Sequence, residues 1–418
     1  MDTILKCGKL FDSANGTVLK HMLVTVSGKT VKAIASCPDA LWNAAEDALL
    51  AGLELPADTA VLDLSDKFVM PGLIDAHVHL ASDGLQHPYE ASRSLLGDFV
   101  VRALEQANNN LMAGFTTVRD CGSRGFVNVS VRDAIAQGKF PGSRILACGS
   151  GISTTGGHGD DHFSPYLSNS IGIGACDGAA AARKGARYNI KFGADFIKVM
   201  ATGGVMSPGT TVGAQQLTPD ELETICEIAR MYGVHTAAHA HGTEGIKAAA
   251  RAGITSIEHG MMLDDEAIEI FLEKGTYHTP TIIAAERIIT CGPQMGLQGW
   301  MIDKAKQVYE RHEWGVREGL RLGVKHSFGT DAGTPSNFHG KQGYEFELMT
   351  RFGFTPVQTL VAATKTNSEL LRISDKLGSI EAGKLADIVA FDRDPLEDIT
   401  VMKDCTFVMK EGKVYKQA

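Results

Sequence analysis

Two histidines one residue apart, His77 and His79, close the run "KFVMPGLIDAHVHL" at residues 67–80. Side chains alternate faces along an extended segment, so both rings point the same way and could grip one ion. Taken alone, such a pair has a plain alternative, two histidines satisfied by ordinary hydrogen bonds. Residues of matching chemistry, however, end other β-branched runs: His239 in "AAHAHG", His259 in "IEHG" and Asp331 in "FGTDAG". Four imidazoles and a carboxylate make a borderline-hard donor set that suits zinc, manganese or cobalt.

Lys198, in "ADFIKVMATGG", ends another such run and does not fit that set as an ammonium, which divalent cations would repel. Burial and nearby cations lower a lysine's pKa. The neutral amine can then add carbon dioxide and lose a proton, giving an anionic carbamate able to bridge two metals. The ordinary fate of a lysine at a strand end is to snorkel or to pair with an acid.

These side chains can meet only if the elements carrying them share one rim. From about residue 67 to 330 short β-branched runs alternate with turns and helical stretches, which predicts parallel strands with crossover helices. The strand candidates are "KFVMPGLIDAHVHL", "GFTTVRDCG", "SRILACGS", "ADFIKVMATGG", "VHTAAHAHG", "ITSIEHG", "TYHTPTI" and "VKHSFGTDAG". Eight closes a β/α barrel, whose chemistry sits at the strands' C-terminal ends. The clearest helices are "RSLLGDFVVRALEQANNNLMAG", "TPDELETICEIARMYG" and "GTEGIKAAARAG", the second with Thr218 as N-cap. Short strand patterns fill residues 1–66, including a hairpin with "SGKT" at its tip, and return in the tail. The fold class expected is α/β: a (β/α)8 TIM barrel over 67–369 with a small β-sandwich built from both termini, 1–66 and 370–418.

Composition excludes several classes. With 40 basic and 49 acidic residues the formal charge is -9 and no dense Lys/Arg block occurs, so neither nucleic acid nor an anionic membrane is an expected partner. No apolar run approaches membrane-spanning length and the N-terminus lacks an apolar leader core, so a cytoplasmic location is expected. Eight cysteines without a C-x-x-C pair argue against a disulfide framework or thiolate zinc knuckle and suggest buried small hydrophobes.

The ordered pattern H-x-H, Lys, His, His, Asp, together with "MPGLIDAHVHL" and the closing "KLGSIEAGKLADIVAFD", resembles the amidohydrolase superfamily over essentially the whole chain. "GFTTVRDCG", "TTGGHGD", "KVMATGG" and "AAHAHG" are most similar to the branch related to imidazolonepropionase, which contains Xaa-Pro dipeptidases, arginine or lysine carboxypeptidases and ochratoxin-hydrolysing amidases. The resemblance implies two divalent ions, zinc foremost, with His77, His79 and Asp331 on one, His239 and His259 on the other, and carboxylated Lys198 between them. It implies that His158 and His241 contact the carboxylate of a dipeptide or N-acyl amino acid substrate. It also implies a homo-oligomer, often an octamer. A metal ion acidifies its coordinated water and polarises a scissile carbonyl, while Asp331 can serve as general base. His241 shares a face with His239, so a misjudged register would exchange their roles.

The rival activities are hydrolysis of a cyclic amide and deamination; relatives that deaminate generally use one metal without the bridging lysine. A non-catalytic barrel would have lost ligands that are present here. Arg119 and Asp120 are expected to pair beneath the site, and Ser82 to be solvated. His87, His162, His278, His326 and His339 are assigned to loops or packing, with His162 and His339 the two that could reach the pocket. Segments 82–95, 150–178, 203–217 and 281–300 are read as the loops that set substrate choice.

Overall fold

The computed structural model describes residues 2–56, 59–85, 93–160, 174–208 and 210–417. The chain opens with β1 (Asp2–Asp12) and β2 (Thr17–Ser27), an antiparallel pair, and β3 (Thr30–Ser36) follows through the tight turn of "SGKT". Alternation along β1 splits its apolar residues. Ile4 faces a small core with Leu49 and Leu50 of the helix Glu46–Gly52, and Leu5 and Cys7 face a second core. β4 (Ala60–Pro71) then runs parallel to β1.

After Gly72 the chain enters the barrel: β5 (Leu73–Val78), β6 (Phe115–Asp120), β7 (Arg144–Ala147), β8 (Phe196–Met200), β9 (His235–Ala240), β10 (Ser256–His259) and β11 (Tyr277–Thr279). Every pairing among them is parallel, β5 to β7 in one group and β8 to β11 in another. β5, β6 and β9 are buried along their whole length, as strands covered on both faces must be. Ile152 bridges to Val199 and links the two groups.

The eighth expected strand, "VKHSFGTDAG", forms only single bridges, His326 to His278 and Ala332 to Val78. It nonetheless occupies the closing position, where the Ala76 N–H donates to Phe328 O and the Asp331 N–H donates to His77 O. Asn367 reinforces this seam by donating to both Ile74 O and Phe328 O at 2.7 Å. The reason for the weak ladder is local: Asp331 has φ 60°, which no regular strand accommodates.

Helices Leu96–Met112, Pro219–Tyr232 and Thr243–Ala252 lie where periodicity placed them. Thr218 is extended before the second, Pro219 begins it, and Glu221 accepts the Thr218 N–H at 2.7 Å. Segment 281–300, read from sequence as a loop, carries the helix Ile282–Thr290. Glu345 makes it possible, because its two carboxyl oxygens accept the Ile282 and Ile283 N–H groups at 2.8 and 2.7 Å.

The chain finishes with β12 (Ile388–Phe391), β13 (Cys405–Lys410) and β14 (Lys413–Gln417). With the N-terminal strands they form one sheet in the order β14-β13-β12-β4-β1-β2-β3. Thr30 at the start of β3 also bridges to Leu385 just before β12, so the sheet folds back on itself. Ile388, Phe407 and Met409 thereby share a core with Leu5, Val24 and Val31, the sandwich expected from both termini. All eight cysteines are free thiols, buried except for Cys291. Among the described residues no helix is long and apolar enough to cross a membrane.

Candidate metal centre and active site

All eight residues singled out from the sequence, His77, His79, His158, Lys198, His239, His241, His259 and Asp331, line one cavity of about 170 Å³ at the C-terminal ends of the barrel strands. On β5 the two-residue period sends Asp75, His77 and, just past the strand, His79 to the interior. His77 Nδ1 lies 2.7 Å from Glu258 Oε2, and His79 Nδ1 lies 3.1 Å from Gly122 O. An acceptor at Nδ1 fixes the proton there and leaves the Nε2 lone pair of each ring facing the cavity. Asp331 Oδ1 sits 3.2 Å from His79 Nε2 and 3.5 Å from His77 Nε2, so three donors converge.

Lys198 is 1% exposed, with Nζ 3.4 Å from His77 Nε2. Among the described residues no carboxylate lies within ion-pair distance of it. His239 and His259 face the same space from β9 and β10, their ring centroids 4.7 Å apart. His259 Nδ1 is 2.7 Å from Thr281 Oγ1, whereas His239 Nε2 is buried with no hydrogen-bond partner. A buried imidazole nitrogen without a partner, beside free lone pairs and a carboxylate, is what a cation site offers. The residues therefore fit divalent metal.

Burial holds His77, His239 and His259 well below the usual histidine range, with Lys198 adding to the effect on each. These rings are neutral, the form that ligates metal. At His79 burial works in the same direction, but the bond and charge of Asp331 outweigh it and raise the pKa.

Two of the donors adopt left-handed backbone, His259 at φ 69° and Asp331 at φ 60°. Strain of this kind persists where the surroundings impose it. At His259 it has a visible use. Glu258 points inward to His77, so simple alternation would turn His259 out of the barrel; the left-handed turn returns its ring to within 5.0 Å of the His77 ring, centroid to centroid. His278 supports that turn, with Nε2 2.9 Å from His259 O. Gly260, at φ 57°, is the residue that lets this imidazole approach, since a Cβ there would lie 2.4 Å from His278 Nε2.

His158 and His241 flank this group. The His158 ring stacks on His239 at 4.0 Å and its Nδ1 contacts Ser207 Oγ at 2.6 Å. His241 lies edge-on to His239 at 4.5 Å, and its Nδ1 is unpartnered. Burial lowers both pKa values to about 3, with Lys198 adding to each.

Several expectations change here. Arg119 and Asp120 do not pair with each other, because neighbours on a strand point to opposite faces. Arg119, fully buried, donates to Glu258 Oε1 at 2.7 Å and to Ser256 Oγ at 3.1 Å. Asp120 instead accepts the Leu80 and Gly122 N–H groups at 2.9 and 3.0 Å and so ties together the turns after β5 and β6. The charge of Arg119, with help from Lys198, overcomes burial and lowers the pKa of Glu258. Asp75, also unforeseen, accepts from Thr330 Oγ1 at 2.6 Å and brings the Asp331 segment against β5. Sequence signals for these two acids were present only as carboxylates beside histidines expected to be ligands. His339 packs against His79 O at 3.2 Å rather than lining the cavity, and Ser82 does not line it either. His278 and His326 are buried packing residues. His87 and His162 lie outside the described residues.

The amidohydrolase family profile matches residues 68–415. The chain belongs to the amidohydrolase family and is a hydrolase acting on amide C–N bonds. It is 32% identical over 379 residues to the ochratoxinase of Aspergillus niger, a match covering 83% of this chain and 75% of that enzyme. A crystallised Xaa-Pro dipeptidase with methionine bound in its active site is 35% identical, with a TM-score of 0.90 and full coverage of both chains. A prolidase complexed with N-methylphosphonate-L-proline is 29% identical at a TM-score of 0.89, again with full coverage of both.

Proposed function

We propose that this chain is a binuclear metal-dependent amidohydrolase that cleaves dipeptides or N-acyl amino acids and releases a C-terminal amino acid. One observation carries the reading: His77, His79, His239, His259 and Asp331 line one cavity with a buried Lys198 that has no carboxylate partner among the described residues. A carbamate on Lys198 would replace an uncompensated ammonium with an anion, which suits a lysine placed between two cations. His77, His79 and Asp331 would hold one ion and His239 and His259 the other, with the carbamate shared. Divalent cations bound there, zinc foremost, would supply Lewis acidity for water and for the amide carbonyl.

The protein's own residues do the rest. Asp331 takes a proton from the attacking water as oxygen adds to the carbonyl carbon, then passes it to the departing nitrogen as the C–N bond breaks. The balance is one water consumed, one carboxylic acid and one amine formed. His158, held through Nδ1 by the Ser207 hydroxyl at 2.6 Å, would bond a substrate carboxylate together with His241 through its other ring nitrogen. The names of the ochratoxinase, dipeptidase and prolidase relatives, all cleaving bonds of this type, support the substrate class.

A panel of dipeptides and N-acyl amino acids, assayed with metal analysis, tests the reading. Release of a free C-terminal amino acid that requires about two ions per chain is the expected result. Turnover confined to cyclic amides, or ammonia release from an exocyclic amine, would replace it with one of those activities. In His158→Ala and His241→Ala the KM should rise by about tenfold or more with bound metal retained; loss of metal would reassign those residues as ligands.

A further inference from the structure

We infer that the released amino acid carries an apolar side chain, and that the site discriminates against arginine and lysine at this position; the inference rests on the function proposed above. The wall beside the metal-binding rim is formed by Met200, Val205, Met206, Met261, Ala285 and Ile288. Among the described residues lining the cavity, Asp331 is the only acid, and it is turned toward the Nε2 atoms of His77 and His79. A guanidinium or ammonium placed against this wall would lose water and gain no counter-charge from the described residues.

The wall is preformed. Val205, Met261, Ala285 and Ile288 belong to an apolar cluster completed by Ala305 and Val308 of the helix Gly299–Leu322. Lys304 on that helix donates to Ser207 O at 2.9 Å and Thr210 O at 2.6 Å, which pins the loop holding Val205 and Met206. The same loop touches His158: Ser207 Oγ bonds the ring, and a Cβ on Gly204 would come within 2.5 Å of it. The wall thus adjoins the imidazole assigned to the substrate carboxylate, which places it beside the side chain of the residue bearing that carboxylate. The cavity of about 170 Å³ is shared between this wall and the metal-binding side chains, so the apolar residues face the same space as the reacting group. Three methionines give the surface the adaptability to take more than one apolar shape.

Calorimetric titration of the zinc-loaded protein with free L-methionine, L-leucine, L-phenylalanine, glycine, L-arginine and L-lysine tests this without turnover. The three apolar amino acids should bind about tenfold or more tighter than glycine, arginine or lysine. Met206→Glu, a change in a partly exposed loop position, should weaken methionine binding and strengthen arginine binding. Ile288→Ala should weaken the apolar ligands and leave glycine unchanged. Equal binding of glycine and methionine, tight binding of arginine or lysine, or no binding by any of the six would overturn the inference. Selective apolar binding in a protein that hydrolyses no amide would keep the apolar subsite but remove the proposed function and with it the released amino acid; hydrolysis favouring C-terminal arginine or lysine would keep the function and overturn the inference.

Discussion

As the proposed ligand, His77 needs another group to hold its Nδ1 proton, and Glu258 does so from across the barrel at 2.7 Å. Glu258→Gln keeps the shape but removes the anion that fixes the tautomer. Metal affinity, measured by chelator competition, should fall by about 10- to 100-fold; unchanged affinity would show that His77 needs no such support. The pairing also marks the limit of reading residues in a string. His77, His79, His239, His259 and Asp331 were recognisable because each ends a strand-like run with an atom able to bind metal. Glu258 precedes His259, and alternation assigns it to the opposite face; only the left-handed backbone of His259 lets both face inward. Asp75 was hidden for a related reason, since its partner Thr330 lies 255 residues away.

At the scale of elements, strands and major helices follow periodicity, whereas the closing segment and the helix Ile282–Thr290 do not. "VKHSFGTDAG" has the composition of a strand, yet it serves the site through irregular backbone and single bridges. The helix depends on a carboxylate 62 residues downstream of Ile283 for its first free N–H groups. Burial raises the pKa of Glu345 well above the usual carboxylate range, against the opposing pull of the Ile282 and Ile283 N–H groups. Glu345→Ala would leave the Ile282 and Ile283 N–H groups buried without acceptors. Denaturant unfolding should reveal a loss of about 1–3 kcal/mol, accompanied by weaker methionine binding because Ala285 and Ile288 ride on that helix. Full stability in this variant would mean that packing alone sets the helix start.

Across the whole molecule, the sheet made from both termini is fastened to the barrel through Arg144, the first residue of β7. Its guanidinium meets Asp387 at 2.7 Å and Glu411 at 2.8 Å, while Lys29 reaches Glu411 at 2.8 Å. The two β-rich ends were legible in the sequence as short alternating runs, but not this fastening, which joins residues 267 positions apart. Burial alone would raise the pKa of Glu411, but the bonds from Lys29 and Arg144 outweigh it and hold the value at about 2, against an ordinary 4.5. A depressed carboxylate pKa contributes stability above the unfolded value, and that contribution is lost as pH falls from 4.5 toward 2. Thermal unfolding of Glu411→Gln should therefore show a shallower fall over that window than the parent chain; an identical slope would place the acid sensitivity elsewhere. The central claim concerns the barrel's rim, where six side chains from distant parts of the chain are proposed to share two cations. Its most direct test is to load the metal-free protein with zinc in the presence of carbon-13-labelled bicarbonate, then count the ions and look for a labelled carbamate by NMR. Two ions per chain and one carbamate signal that is absent from Lys198→Ala are the expected result. A fully loaded protein with a single ion, or with no labelled lysine, would contradict it.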